Sequence, residues 1–166
     1  MTSTPFSTCD LCDAHEGDTS GDFRVLPPVF RAFGAERAFC GPVHTLRAPE
    51  DNSRVREAVA SAGEGRVLVI DGGGSLRHAL VGGNLALAAA RNGWAGIVVD
   101  GSVRDLAELR AAGIPVRALA AMPLRTAKRG EGQAGEPVCI QGVWVRPGDW
   151  LYADEDGIVV AGRSLT

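Results

Sequence analysis

Histidine and cysteine, the usual soft metal ligands, are scarce: three and four residues in a chain of 166. His15, His44 and His78 form no metal-spaced pair. Cys9 and Cys12 make a lone C-x2-C without a second pair or a nearby histidine couple, which argues against a structural zinc site and for two idle or buried thiols. With Cys40 and Cys139 they are too few to frame a chain of this length with disulfides. A basic start followed by an apolar run is missing from MTSTPFSTCD, so no signal peptide is expected. Together these point to a reducing, cytoplasmic setting. The most apolar helical stretch, LALAAA, is far too short to span a bilayer, which excludes a membrane role. Positive charge is also in deficit. Seventeen Lys and Arg face 20 Asp and Glu, for a net charge of −3, which argues against a nucleic-acid surface. The nearest thing to a basic cluster, Arg125, Lys128 and Arg129, reads as a solvated turn.

What is present is ordinary in bulk and uneven in detail. Hydrophobic residues make up 45% and charged residues 22%, as expected of one domain over 1–166 with a substantial core. The 22 glycines follow no collagen-like period and gather around 72–74, 82–83 and 130–135, where they suggest tight turns and close backbone approach. No internal repeat or low-complexity stretch organises the chain.

STCDLCDAH (7–15) reads as a short helix capped by Ser7 or Thr8. Pro27 and Pro28 forbid regular structure around them. AFCGPVHTLRA (38–48) alternates like a strand interrupted at Gly41-Pro42, and NSRVREAVASAG (52–63) places Val55, Ala58 and Val59 at helical spacing. From residue 66 the pattern becomes regular. RVLVID is a short, continuously apolar strand of the kind covered on both faces, AGIVVDG a second buried strand and IPVRALAA a third strand. Between them lie GNLALAAARNG, a helix apolar almost all round, and SVRDLAELRAAG, a helix closed by Gly113. DGGGSLRHALVGG connects the first strand to the first of these helices. Strand, helix, strand, helix, strand predicts a parallel βαβ portion. The tail, with turn signals at Pro147-Gly148-Asp149 and Asp154-Glu155-Asp156-Gly157, predicts antiparallel hairpins. The class is α/β.

The glycine-rich stretch fails as a nucleotide loop. A dinucleotide fingerprint from Gly72 needs glycine or alanine where Arg77 stands, and a phosphate loop needs Gly-Lys-Ser/Thr where Arg77-His78-Ala79 stand. Gly82-Gly83-Asn84-Leu85 is more promising, because free N–H groups at a helix start suit a carboxylate or phosphate. Taken alone, a sharp turn with close packing explains those glycines more simply.

Arg104 and Asp105 have two readings. Ser102-Val103-Arg104-Asp105 fits a capping box, with Ser102 as cap. Arg104 fits that poorly, since a cation at a helix start meets the positive end of the dipole. The other reading gives Arg104 a substrate carboxylate to clamp in two parallel hydrogen bonds, and gives Asp105 a Mg²⁺ or Mn²⁺ ion that keeps part of its water shell. A 2-oxo acid would then bridge the two. Spacing alone leaves both readings open.

VLVIDGGGSLRHALVGGNLALAAARNGWAGIVVDGSVRDLAEL (67–109) resembles the family of the regulator of ribonuclease activity A, the RraA-like family. That family also contains metal-dependent 4-hydroxy-4-methyl-2-oxoglutarate aldolases. The likeness runs from CDLCDA near the start to LYADEDGIVV near the end. Its most specific element is a glycine, twenty intervening residues and R-D-x2-E/D, met here by Gly83, Arg104, Asp105 and Glu108. The resemblance implies a three-layer β/β/α, swivelling-domain-like fold and a homotrimer with sites near subunit boundaries. It implies that the N–H groups of Gly82, Gly83, Asn84 and Leu85, with Arg104, hold the pyruvyl end of a 2-oxo acid. Asp105 would bind the divalent cation and Glu108 would orient a water of its shell. The implied chemistry is retro-aldol cleavage to pyruvate through a metal-stabilised enolate, with secondary oxaloacetate decarboxylation. Asp100 and Glu108 are the in-chain candidates for the base. Members that bind and inhibit a ribonuclease can lack the aspartate after the arginine. This chain keeps it and so resembles the enzymes, with a ribonuclease partner as the alternative.

Overall fold

Every residue of the strand β5 (Gly96–Val103) is buried, and its alternate side chains feed two different cores. Ile97 and Val99 face one side and Val98 the other. The strand β4 (Val67–Val81) does the same, with Leu68 and Ile70 on the first side and Val67 and Val69 on the second. A sheet apolar on both faces must be covered on both, which makes this the middle of three layers. Each fully buried Leu or Ile contributes about 1.5–3 kcal/mol.

The computed structural model describes residues 5–166; Met1–Thr4, part of the domain expected over 1–166 and of the stretch MTSTPFSTCD, lie outside the described residues. The middle layer is the parallel run β3 (Phe39–Arg47), β4, β5 and β6 (Val116–Ala121), in sequence order. It is linked by α2 (Ser53–Val59), α3 (Gly83–Arg91) and α4 (Leu106–Ala112). Because the strand order never reverses, right-handed crossovers put all three helices on the same face. Val55, Val59, Ala86, Ala89 and Leu109 accordingly share one core with Leu68, Ile70 and Ile97.

The other face is covered by the C-terminal hairpins. β8 (Val138–Ile140) pairs with β9 (Val143–Val145), and β10 (Trp150–Ala153) with β11 (Ile158–Ala161), both antiparallel as expected. Val138, Ile140, Val145, Leu151 and Val160 close this second core over Val67, Val69 and Val98. The short strands β1 (Arg24–Val25), β2 (Arg31–Ala32) and β7 (Gln133–Ala134) pair with β11, β6 and β3. The helix α1 (Thr8–Ala14) is capped by the Ser7 side chain, which accepts from the Asp10 N–H. Its neighbour Thr8 donates through N–H and hydroxyl, each at 2.7 Å, to the Asp154 carboxylate in the DEDG turn.

Three expectations are corrected. The strand at 38–48 is not interrupted at Gly41-Pro42. Residues 39–42 pair with β10 and 43–47 with β4, so Pro42, which has no N–H to donate, sits where the ladder changes partner. The segment after Asp71 is not a plain connection but the continuation of β4. Its residues 71–81 are matched by only 100–103 of β5, so the excess bulges outward, with positive φ at Gly73 and Gly74. Finally, α3 is buried on one face only, through Gly83, Ala86 and Ala89, while Leu87 is exposed, because alanine-rich helices are apolar in composition without being enclosed.

Candidate active site

β4 and β5 end side by side, and the chain leaves each directly into a helix. The Arg104 N–H donates to the Val81 carbonyl at 3.0 Å, tying the two exits together. The capping-box reading of Asp105 is wrong. Ser102 belongs to β5, is fully buried, and donates its hydroxyl to the Ser75 carbonyl. α4 starts only at Leu106, so Asp105 is itself the N-cap residue, yet its side chain caps nothing in that helix. Its backbone is left-handed (φ 60, ψ 51), a conformation that costs most non-glycine residues about 1–2 kcal/mol and that aspartate tolerates comparatively well. Arg104 lies outside the helix, which removes the conflict with the dipole.

The left-handed turn aims the Asp105 carboxylate across at α3. Oδ2 accepts a hydrogen bond of 3.0 Å from the Gly83 N–H. Oδ1 accepts none among the described residues, and the side chain is 38% exposed, enough to reach solvent. Gly82 and Gly83 are glycines for lack of room rather than for φ. A Cβ on Gly82 would lie 2.6 Å from Asp105 Oδ2, and one on Gly83 would run into the Glu108 side chain. The sequence motif is therefore a packing statement: the glycines of α3 admit the two carboxylates of α4. Arg104 extends alongside, with Nε 3.9 Å from Asp105 Oδ2 and Nη1 donating to the Pro123 carbonyl at 3.3 Å.

These groups border a cavity of about 220 Å³ lined by Asn52, Arg56, Ala79, Gly82, Asn84, Leu85, Arg104, Asp105, Arg125 and Lys128. The expected Gly82, Asn84, Leu85, Arg104 and Asp105 thus meet at one place. Gly83 spends its N–H on Asp105, and Glu108 packs against Gly83 without lining the cavity. Asp100 is elsewhere. It is 3% exposed, accepts from Gln141 Nε2 at 2.7 Å, and points into the second core, where burial pushes its carboxyl above the usual range.

The cavity also holds residues that sequence reasoning missed. Arg125 and Lys128 are exposed, as expected of a solvated cluster, but they also line its wall, joined by Asn52, the N-cap residue of α2, and Arg56 from that helix's last turn. The 125–130 segment is strapped to α2: Asn52 N–H donates to the Ala127 carbonyl, Arg129 N–H to the buried Asp51 carboxylate, and Gly130 N–H to the Ser53 hydroxyl. The clue was available in the glycines at 130–135 that permit the strap, but spacing gives no distance between 52–56 and 125–128.

A larger cavity, about 820 Å³, lies at the N-terminal ends of the parallel strands around Arg117, with Glu36, Asp154, Glu155 and Asp156 on its wall. Ligands of open α/β sheets bind at the carboxyl ends of the strands, and an acidic wall repels an anionic substrate, so chemistry favours the smaller cavity.

A divalent cation fits Asp105. One unclaimed oxygen on a partly exposed carboxylate suits Mg²⁺ or Mn²⁺, which retain waters and take the remaining oxygens from substrate. Among the described residues no group of three or more His, Cys, Asp or Glu could form a closed cage. The donor set is hard and open, matching an ion that exchanges ligands rather than one that staples the fold.

Known proteins resemble this chain over nearly its full length. The sequence profile of the RraA-like family, described as Aldolase/RraA, matches residues 8–160. A protein of Albidiferax ferrireducens provisionally named 4-hydroxy-4-methyl-2-oxoglutarate aldolase is 66% identical, over 96% of this chain and 97% of its own. A Cupriavidus taiwanensis protein with the same provisional name is 58% identical, over 95% and 96%. A solved structure described as the RNA-processing inhibitor RraA from Thermus thermophilis superposes with a TM-score of 0.91 at 46% identity, over 98% of this chain and 96% of that one.

Proposed function

The chain belongs to the RraA-like family, and from that premise we propose that it is a divalent-metal-dependent carbon–carbon lyase. The substrate class is a 4-hydroxy-2-oxo acid, with 4-hydroxy-4-methyl-2-oxoglutarate cleaved to two molecules of pyruvate. The observation that carries the proposal is the unclaimed Asp105 oxygen beside Arg104 in a cationic cavity at the strand exits.

Arg104 offers the unengaged part of its guanidinium to the C1 carboxylate, and the N–H groups of Asn84 and Leu85 at the start of α3 add to the same anion site. Asp105 would hold the cation, which when bound supplies Lewis acidity to the keto oxygen as negative charge develops there. The C4 hydroxyl gives up its proton, the C3–C4 bond breaks, and its electron pair passes to the C2–C3 enolate of one pyruvate while C4 becomes the ketone of the other. The enolate then takes a proton at C3. Glu108 is the chain's own candidate to accept the hydroxyl proton, working through a water. Oxaloacetate can lose CO₂ through the same enolate, so decarboxylation is the expected side activity.

The test is pyruvate release from 4-hydroxy-4-methyl-2-oxoglutarate and from oxaloacetate, with Mg²⁺, with Mn²⁺ and with excess chelator. Turnover that survives chelation would overturn the metal-dependent reading. A second reading, a protein-binding regulator of a ribonuclease, is favoured by the likeness to the Thermus inhibitor. It predicts slowing of an RNase E-type cleavage at stoichiometric protein, and no effect there would remove it. We further propose a homotrimer in the cytoplasm, as in the family resemblance.

A further inference from the structure

The cavity carries more positive charge than a 2-oxo acid end needs. Arg104 already answers one carboxylate. Arg56, Arg125 and Lys128 remain, and none of the three side chains makes a salt bridge or side-chain hydrogen bond among the described residues. All three are exposed to solvent, yet they border the same small space, so their like charges raise its positive potential and draw an anion there. Lys128 is also the only lysine in the chain.

An unpartnered polar group stands beside them. Asn52 is 9% exposed and its Oδ1 has no hydrogen-bond partner. Although Asn52 precedes α2 as its N-cap residue, its side chain makes no capping bond there. A buried acceptor left unpaired costs on the order of 1–3 kcal/mol, so a side chain that neither caps nor packs as apolar invites a donor from the cavity.

We propose that Asn52 and Arg56, backed by Lys128 and Arg125, form the recognition site for the far end of the substrate, an α-hydroxy carboxylate. The two requirements match that group atom for atom. Its carboxylate takes the guanidinium of Arg56, and the hydroxyl on the adjoining carbon donates to Asn52 Oδ1 on binding, then turns its single proton to the water on Glu108 as the bond breaks. The pyruvyl end then lies on Arg104, so both ends of the dicarboxylate are held and the bond to be broken lies between them. The proposal rests on the lyase reading for the chemistry, but not for the binding. The strap explains how the site is assembled. The Asp51, Ser53 and Arg54 contacts to residues 129–132 hold Lys128 and Arg125 against the α2 residues.

The experiment uses the full-length protein with Mg²⁺ and two pairs of ligands. The activity pair is 4-hydroxy-4-methyl-2-oxoglutarate and 4-hydroxy-2-oxopentanoate, which lacks the C4 carboxylate. Arg56→Gln should lower kcat/KM for the first by roughly 10- to 100-fold, the scale of a lost charge-assisted hydrogen bond, and barely change the second. Arg56→Lys should recover part of the loss. Asn52→Leu should weaken both substrates, since both carry the hydroxyl, without lowering the Tm, because an apolar isostere removes the unpaired acceptor. Equal losses on both substrates in Arg56→Gln, or undiminished discrimination, would overturn the assignment of Arg56. An Asn52→Leu protein that melts earlier with unchanged kinetics would overturn that of Asn52. The binding pair, 2-oxoglutarate against 2-oxobutyrate by calorimetry, separates this proposal from the reaction. If the wild type turns over neither substrate, the lyase reading fails. The subsite still stands if 2-oxoglutarate binds more tightly than 2-oxobutyrate and Arg56→Gln abolishes the difference. It falls if the two bind alike, or if sulfate is held as tightly as 2-oxoglutarate. Acylation of the single lysine gives an independent readout: 2-oxoglutarate should protect Lys128, and 2-oxobutyrate should not.

Discussion

Replacing Asp105 separates its backbone role from its chemistry. In the fold it sits in the left-handed region and accepts the Gly83 N–H at 3.0 Å. Asp105→Ala loses that hydrogen bond, worth about 1 kcal/mol at a part-exposed site. It also puts a residue that resists φ near +60 where aspartate was tolerated, for about another 1 kcal/mol. The sum of about 2 kcal/mol corresponds to a Tm drop of roughly 4–8 °C for a chain of this size. Asp105→Asn keeps an acceptor for Gly83 and tolerates the same backbone, so its Tm should stay within about 2 °C of wild type. It removes the negative charge, however, and pyruvate release should fall by at least about a hundredfold, the scale of losing one electrostatic contact to a transition state. Thermal melting by circular dichroism and a coupled pyruvate assay read the two quantities on the same preparations. An Asp105→Asn protein with wild-type turnover would refute the electrostatic role. An Asp105→Ala protein as stable as wild type would refute the strained-turn account of its place in the fold.

Gly83→Ala should destabilise by about 1–3 kcal/mol through overpacking, because its Cβ runs into Glu108, and Glu108→Ala in the same chain should return part of that loss; additive Tm changes would refute the contact. Burial raises the Asp51 carboxyl, but hydrogen bonds from Ser53, Arg129 and Glu131 outweigh it and hold the group below its ordinary value. Its stabilising share is therefore fully present above the unfolded-state pKa of about 3.9 and lost as pH falls through the folded value. In a chemical-denaturation series, Asp51→Asn should cost stability at pH 7 and progressively less in acid. Asp100 carries the opposite sign: burial, then the Asp71 charge, raise it against the Gln141 hydrogen bond. Its ionisation opposes folding as pH climbs above the unfolded-state value, so Asp100→Asn should raise the Tm at pH 7 and lose that advantage near pH 3. Sedimentation should give three times the 17.3 kDa chain mass.

The layers of this fold were legible because burial on both faces of a strand leaves a mark in one dimension. VLVI (67–70) and AGIVV (95–99) are apolar at every step up to the aspartate, which only a middle sheet allows, and Pro147-Gly148 and Asp156-Gly157 announced the hairpins that cover it. The bulged half of β4 was not legible. Its glycines advertise a turn, and the register shift depends on how β5 pairs with it, a relation between segments rather than a property of either. Ser102 misled for the same reason. A capping box is a local pattern, and here β5 simply continues through Ser102 because Val103 has a place in the core to fill.

The candidate site divides along the same line. Gly83, Arg104, Asp105 and Glu108 stand out because two consecutive strand exits adjoin, so a fixed interval in the chain becomes a fixed contact in space. Asn52, Arg56, Arg125 and Lys128 have no such interval. They meet because Asp51, nearly fully buried, trades the solvation of its carboxylate for the N–H groups of Ser53 and Arg129, and so draws a loop over seventy residues away onto α2. A buried charge is tolerated only with such partners, and the strap is what supplies them. The half of the cavity that would hold the 2-oxo acid is thus written into a motif, whereas the half that would select the rest of the substrate depends on one hidden aspartate. Asp51→Asn should therefore blunt discrimination between 4-hydroxy-4-methyl-2-oxoglutarate and 4-hydroxy-2-oxopentanoate even though its side chain does not line the cavity. If the discrimination survived with the stability loss in place, the strap would be a structural brace alone, and Lys128 and Arg125 would have to find their places without it.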